Sequence, residues 1–328
     1  MLKKFSVAVL PAICALLMLA ACDDKKKTDV STATVVCDNS FENILEQEID
    51  VFEYVYPKNF ILCRYVTQSE AIDSLFSGNT RTAIIGRDLK KDERIALKKK
   101  YPNLRSSKIA VDAVALITNP ENKVDRLSLK ELDQILTGKL TRWNDLSPDG
   151  DDREISVVFD SNGSGLATYM RDSVMNGQKF GKNVRNVGSI QKVFETVKQH
   201  KGAVGVIGVS WLTRDLTLDS ASVENRVKEL QKEDPIEGQA INDRMDAAGV
   251  NVLGIIRDDA MTYKPYQQYI YDGSYPLTRC IYMITTGSPV GAAGRFYTFV
   301  TSSEGQRLIM RTGIMPARMQ VNVYEVSY

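Results

Sequence analysis

Histidine is almost missing from this chain: His200 is the only one in 328 residues. It stands in Lys198-Gln199-His200-Lys201-Gly202, a polar run suited to a solvated surface. A serine hydrolase built on Ser164 would need that single ring for its Ser–His–Asp relay, so hydrolysis is poorly supported. Cysteine is scarce as well, with only Cys37, Cys63 and Cys280 beyond the N-terminal run. Three thiols leave at least one unpaired, and no Cys/His cluster has the spacing to hold a metal. All three sit in apolar, strand-like segments, the setting of buried free thiols. Net charge is missing too, with 42 Lys and Arg against 41 Asp and Glu. A nucleic-acid partner needs a concentrated basic face, and this balance argues against one. No internal repeat is visible, and no cofactor is expected. A chain this long holds about two lobes, each with its own core.

What is present begins at the N-terminus. Lys3 and Lys4 precede an apolar run from Phe5 to Leu19, and Leu19-Ala20-Ala21-Cys22 closes it. A basic start, an apolar middle and a small-residue exit form an export signal over residues 1–21. As a membrane-spanning anchor the run is marginal in length, and Pro11 interrupts it. The closing tetrapeptide resembles the lipobox of bacterial lipoproteins, which implies cleavage before Cys22 and lipid on its sulfur and new amine. Buried methylenes would then hold the protein at a membrane outside the cytoplasm, on the periplasmic face or at the outer membrane. Residues 22–34, opening with Asp23-Asp24-Lys25-Lys26-Lys27, read as a solvated tether.

The stretch that organises the rest is Val157-Val158-Phe159-Asp160-Ser161-Asn162-Gly163-Ser164-Gly165-Leu166. A β-branched and aromatic run predicts a buried strand, and a polar turn follows. Leu166, Tyr169, Met170 and Val174 then fall at helical spacing. A strand, tight turn and helix start suit an anion, because the free N–H groups and the helix dipole favour negative charge. Ser164 alone would be an ordinary N-cap.

Similar units recur along the chain. A strand ending near Cys37 leads through Asp38-Asn39-Ser40 into a helix with Phe41, Ile44, Leu45, Ile49 and Phe52. Strands are expected at Phe60 to Val66, Thr82 to Ile85, Asp112 to Thr118, Gly202 to Val209, Val252 to Ile256 and Arg279 to Thr285. Thr67 with Glu70, Ser128 with Glu131 and Ser303 with Gln306 read as capped helix starts. Leu212 to Asp246 is polar and charged, and surface turns are expected there. Alternating strands and helices mean an α/β fold with mostly parallel sheets, whose ligands sit beyond the carboxyl ends of strands. Three polar clusters occupy that position: Asp38-Asn39-Ser40, Gly86-Arg87-Asp88 and Asp160 to Gly165. Arg87 offers a forked cation suited to phosphate or carboxylate.

These residues resemble a known family, the substrate-binding proteins of bacterial phosphate ABC transporters, over nearly all of the mature chain. Asp112 to Pro120 resembles the family's crossing strand. Leu127 to Trp143 looks like its helix ending in Thr-Gly-Lys and a Trp. Asn162-Gly163-Ser164-Gly165 sits where the family has its Asp-Gly-Ser-Gly-Thr phosphate loop. Tyr275-Pro276-Leu277-Thr278-Arg279, and Ser303-Glu304-Gly305-Gln306 with Gly313 and Pro316, are similar to the closing segment. The resemblance implies a two-lobed periplasmic-binding-protein type 2 fold, monomeric and not an enzyme. Residues 35–116 plus 276–328 would form one lobe and 117–275 the other.

Inorganic phosphate or a similar oxyanion would lie between Asn39, Ser40 and Phe41 of one lobe and Ser164, Gly165 and Leu166 of the other, then pass to an ABC permease. The chain departs from the family where it matters. Asp160 stands in place of the arginine before the loop, Asn162 in place of its aspartate, and Leu166 in place of its threonine. Arg87 is expected to supply the missing charge, with Asp160 accepting a ligand proton or orienting Arg87. An aspartate acceptor favours protonated phosphate over sulfate. The alternative is a binding or sensing protein of the same fold for another oxyanion or phosphorylated ligand, without transport.

Overall fold

Three parallel strands form the first half, with β1 (Ser31–Asp38) between β2 (Asn59–Val66) and β3 (Thr82–Ile85). The computed structural model describes residues 30–147, 150–213, 222–230, 232, 242–243, 245–246, 248–258 and 260–318. The export signal, Cys22 and most of the 212–246 excursion fall outside them, though a helix at Val223–Leu230 is described. β1 begins at Ser31, inside the stretch expected to be tether.

Side-chain alternation along β1 feeds two cores. Val35 and Cys37 pack with α1 (Glu42–Val55), which buries Ile44, Leu45, Val51 and Phe52. Val36 packs on the other face with Ala71 and Leu75 of α2 (Gln68–Ser77). The Thr67–Glu70 capping box starts α2, and Gly78 ends it at φ +84°. Helix α3 (Lys91–Lys100) was not visible as a periodic stripe, for it buries Leu97 alone.

β4 (Arg105–Thr118) runs 14 residues, twice the expected length, because its polar start, Arg105 to Lys108, pairs with a later strand. β5 (Arg126–Ser128), the capped helix α4 (Leu129–Leu136) and β6 (Ser156–Phe159) follow. Next come α5 (Gly165–Tyr169), extended by a wider π turn at Met170–Val174, then β7 (Val184–Asn186), α6 (Ile190–Gln199) and β8 (Ala203–Gly208). β6 lies between β7 and β8, all parallel, as the second half's counterpart of the first trio.

The expected Val252–Ile256 strand is split into β9 (Asn251–Val252) and β10 (Gly254–Ile256); β10 pairs with β5 and β11 (Thr262–Tyr263). β12 (Thr278–Thr285) and β13 (Met315–Pro316) return to the first half. Ser302, not Ser303, caps the helix at Ser303–Arg311, and Gln306 reaches the carbonyls of Ile109 and Val300 instead.

One continuous strand joins the halves. The first part of β4 pairs antiparallel with β12, its second part with β8. Arg279 faces Asp112 across the ladder, and two residues on, Val114 already pairs with Gly208. This is the two-lobed α/β fold, with mostly parallel sheets crossed by antiparallel strands at their junction. The thiols differ from expectation: Cys37 is buried, but Cys63 and Cys280 are half-buried, and all three are free.

Glu48 of α1 is 2% exposed and neither carboxylate oxygen has a partner. Burial, with a smaller contribution from Glu304, pushes its pKa well above the carboxylate range. Such a carboxyl costs increasing stability as pH rises past its unfolded pKa of about 4.3. Glu48→Met is expected to raise stability by about 1–3 kcal/mol at neutral pH and less near pH ~4. Urea unfolding at both pH values checks this; an unchanged midpoint at neutral pH would contradict it.

Candidate functional site

Asp38, the last residue of β1, caps the short turn Asn39–Phe41. Its Oδ1 accepts from the Ser40 amide at 3.0 Å and from the Ser40 hydroxyl at 2.9 Å. Ser40 Oγ in turn accepts from Arg279 Nη2 at 3.0 Å. Arg279 also donates through Nε and Nη2 to Asp112 Oδ2, at 3.1 and 2.9 Å. Its guanidinium lies over the Phe41 ring, 4.3 Å from the centroid. With Arg279 3% exposed and Asp112 fully buried, this ion pair is held out of water at the junction of the halves.

The second half approaches from β6. Gly163 turns the loop at φ +82°, a conformation glycine adopts freely. Ser164 caps α5, its Oγ accepting from the Ala167 amide at 3.2 Å. Gly165 is required for a tertiary reason. A Cβ there would fall 2.0 Å from Asp38 Oδ2 and 3.1 Å from Arg279 Nη1, so the halves meet at its bare Cα. Nearby, Trp211 Nε1 donates to the Ser40 carbonyl at 3.0 Å, and Asn43 Nδ2 to that of Ser210 at 2.8 Å.

Asp38 Oδ2, both Asp160 carboxylate oxygens and Arg279 Nη1 are buried without a hydrogen-bond partner, as are Asn39 Oδ1 and Ser161 Oγ. Each such group costs about 1–3 kcal/mol, and their concentration at one seam is unlike a structural core. Burial raises the pKa of all three acids. Asp38 is pushed up to about 6, with Arg279 and the Ser40 amide opposing and Asp160 adding. Asp112 is raised by burial against the pull of Arg279. Asp160 is raised by burial; the Ser164 hydroxyl and Ser161 amide favour its ionised form without reaching hydrogen-bond geometry. Tyr169, also near Arg279, is pushed up to about 12 by burial.

Of the residues singled out in the sequence, Ser40, Phe41, Ser164 and Gly165 meet at this seam, and Asp160 is close enough to Asp38 and Arg279 for their charges to interact. Asn39 begins the turn, and the Leu166 side chain is fully buried in the core. Arg87 is engaged by another partner. Its two terminal nitrogens each donate to a Glu93 oxygen at 2.7 Å, and Nη1 also donates to the Asp88 carbonyl at 2.8 Å. Glu93 lies in the first turn of α3, the helix the sequence did not reveal, so the competing carboxylate was hidden.

The cation at the seam is Arg279, with Asp38 of the expected cluster and the unanticipated Asp112 as its companions. Each strand carried a signal: one charge inside an apolar run, Asp112 in Ile109 to Thr118 and Arg279 in Thr278 to Thr285. His200 lines a groove with Ser156 and Arg185 at the starting end of β6, whereas Ser164 follows its far end. A Ser–His relay is therefore out of reach. Among the described residues no His, Cys, Asp and Glu group is arranged to hold a metal ion, and no helix is long and apolar enough to cross a membrane.

Residues 24–304 match a family model described as the PBP superfamily domain. The phosphate-binding protein PstS of Pseudomonas aeruginosa is 22% identical over 299 residues, 86% of this chain and 82% of that protein. PstS of Staphylococcus saprophyticus is 23% identical over 214 residues, 65% of this chain, and the match spans 57% of that protein's length. Among solved structures, a putative phosphate ABC transporter substrate-binding protein with bound phosphate from Clostridium perfringens superposes with a TM-score of 0.67. That match has 21% identity and covers 88% of this chain and all of the other.

Proposed function

The chain belongs to the PBP superfamily, and from that premise we propose that it is an extracytoplasmic solute-binding protein that captures inorganic phosphate between its lobes for an ABC importer. The observation that carries this reading is Arg279 Nη1, a buried guanidinium nitrogen left unpartnered where the two halves meet. Such a donor in a dry cleft is suited to a charge-assisted hydrogen bond to an oxyanion. The phosphate-binding relatives support phosphate as that oxyanion.

In this reading Arg279 supplies the positive charge that Asp160 displaced from the loop. The Ser164 hydroxyl and the amides of Asn39, Phe41, Gly165 and Leu166 are the further donors, while Ser40, its proton given to Asp38, holds Arg279 in place. Asp160 accepts a proton of the ligand. Arg87, committed to Glu93, is left out. The lobes are residues 35–116 plus 276–328, and 117–275, with the tether fastening a monomer to the membrane through lipid on Cys22.

Titration calorimetry of the protein lacking residues before Asp23 is the test, with a single phosphate site as the expected result. No heat at millimolar phosphate would end this reading. Arg87→Ala is expected to leave the affinity within about 0.5 kcal/mol, as for a surface change away from the site. A tenfold loss would return Arg87 to it. A second reading, a binder or sensor of another oxyanion or phosphorylated ligand, is favoured by the three carboxylates around one guanidinium. Competition with sulfate, molybdate, phosphonates and sugar phosphates separates the two.

A further inference from the structure

The charges at this seam do not balance for an anion site. Asp112 and Arg279 neutralise each other at 2.9 Å. That leaves Asp38, contributed by the first half, and Asp160, contributed by the second. Both are fully buried and carry unpartnered oxygens, and Arg279 Nη1, the unpartnered donor, lies with Asp38 Oδ2 at the Gly165 Cα. Bringing the halves together with both acids ionised would press two like charges into low dielectric, and an anion would add a third.

We propose that closure of the two halves is proton-coupled: the cleft shuts, and holds its anion, only as Asp38 takes up a proton at the seam with Asp160. The proposal rests on the reading of this seam as the ligand cleft and deepens it. The groups facing Asp38 are Ser40 on its own turn, Arg279 of β12, Asp160 after β6 and Gly165 of α5, with Asp112 of β4 and Tyr169 one shell away through Arg279. Only Arg279 among them is cationic, and Asp112 already engages it. Cys37, the neighbour in β1, is held neutral by burial and adds no charge.

The sign follows from linkage. In an open cleft water reaches Asp38 and its carboxyl titrates lower, whereas in the closed one burial pushes it up to about 6. Closure therefore consumes a proton between those two pKa values and weakens by up to about tenfold per pH unit across that window. A bound anion extends the window upward, because its charge raises the acids further. A fully ionised dianion is penalised most.

Trp211, bonded to the Ser40 carbonyl, reports on the seam, and Trp143→Phe leaves it as the single tryptophan of the two in the chain. Its emission without phosphate is expected to follow one titration below about pH 6, the closing equilibrium changing by up to about tenfold per pH unit. Asp38→Asn should flatten it. Calorimetry with phosphate at about pH 5.5, in buffers of different ionisation enthalpy, should find close to one proton taken up by wild-type protein.

A flat emission profile overturns the proposal. So does zero proton uptake on phosphate binding, or an unchanged titration in Asp38→Asn. The wild-type uptake measurement decides the matter even if the variant fails to fold. A pH-dependent closure without phosphate heat at any pH would sink phosphate as the ligand and leave proton-coupled closure standing.

Discussion

Arg279→Gln is expected to destabilise the protein by about 3–5 kcal/mol, the cost of breaking a buried ion pair while its partner stays behind. Asp112 has no water to turn to: it is fully buried, and its second oxygen is already unpartnered. Without the guanidinium, only the Ala113 and Val209 amides oppose burial at its carboxyl, and its pKa rises further above the usual range. The sign of the pH dependence follows. A raised folded-state pKa means the variant's loss grows as pH climbs past about 4 and is smallest in acid.

Removing both charges together, as Arg279→Met with Asp112→Leu, should recover much of the loss, since no orphaned ion remains. Phosphate binding should not recover in the double variant. Loss of a charge-assisted donor is worth about 1.5–3 kcal/mol, or roughly tenfold to over a hundredfold in affinity. Guanidinium chloride unfolding between acid and neutral pH, with phosphate titrations on the folded fraction, tests both parts. A neutral-pH midpoint equal to wild type would deny Arg279 its structural role, and undiminished affinity in the double variant would deny it contact with the anion.

Gly165→Ala is the second large effect, and it separates folding from closure. The backbone at Gly165 is ordinary helix start, so alanine strains nothing locally. The difficulty is across the seam, where the new Cβ meets Asp38 Oδ2 at 2.0 Å and Asp38 Cγ at 3.2 Å. Asp38 cannot simply rotate away, because its other oxygen holds the Ser40 amide and hydroxyl. Each half should therefore fold while the closed arrangement pays an overpacking cost of about 1–3 kcal/mol. Phosphate affinity is expected to fall by roughly tenfold to a hundredfold, with little change in unfolding midpoint. Scattering with saturating phosphate should show incomplete compaction. Full compaction with wild-type affinity would mean the halves do not meet at this glycine in solution.

Much of this site was legible in the chain, for reasons that are local. Asp38-Asn39-Ser40 and Asp160 to Gly165 announce themselves because a polar, small-residue turn between a β-branched run and a helical stripe has few other uses. The capping pairs Thr67–Glu70 and Ser128–Glu131 form as their three-residue spacing requires. Arg87 follows β3 as expected, but its partner was invisible in the sequence. Glu93 belongs to a helix with one buried residue, and such a helix leaves no periodic trace. The split of Val252–Ile256 into two strands also follows from partners far away in the chain, β4 for one piece and β5 for the other.

From the order of residues alone came the alternating α/β architecture, the two polar turns at strand ends and the family likeness, because periodicity, caps and turns are settled over a few neighbouring residues. Tertiary structure alone decided which arginine lies at the seam. Arg279 and Asp112 lie 167 residues apart, and what pairs them is the register of β12 on β4. Desolvation then makes that pairing, the Asp38–Asp160 opposition and the bare Cα of Gly165 matter, since a charge or a methyl group is costly only where the fold has already excluded water and filled the space.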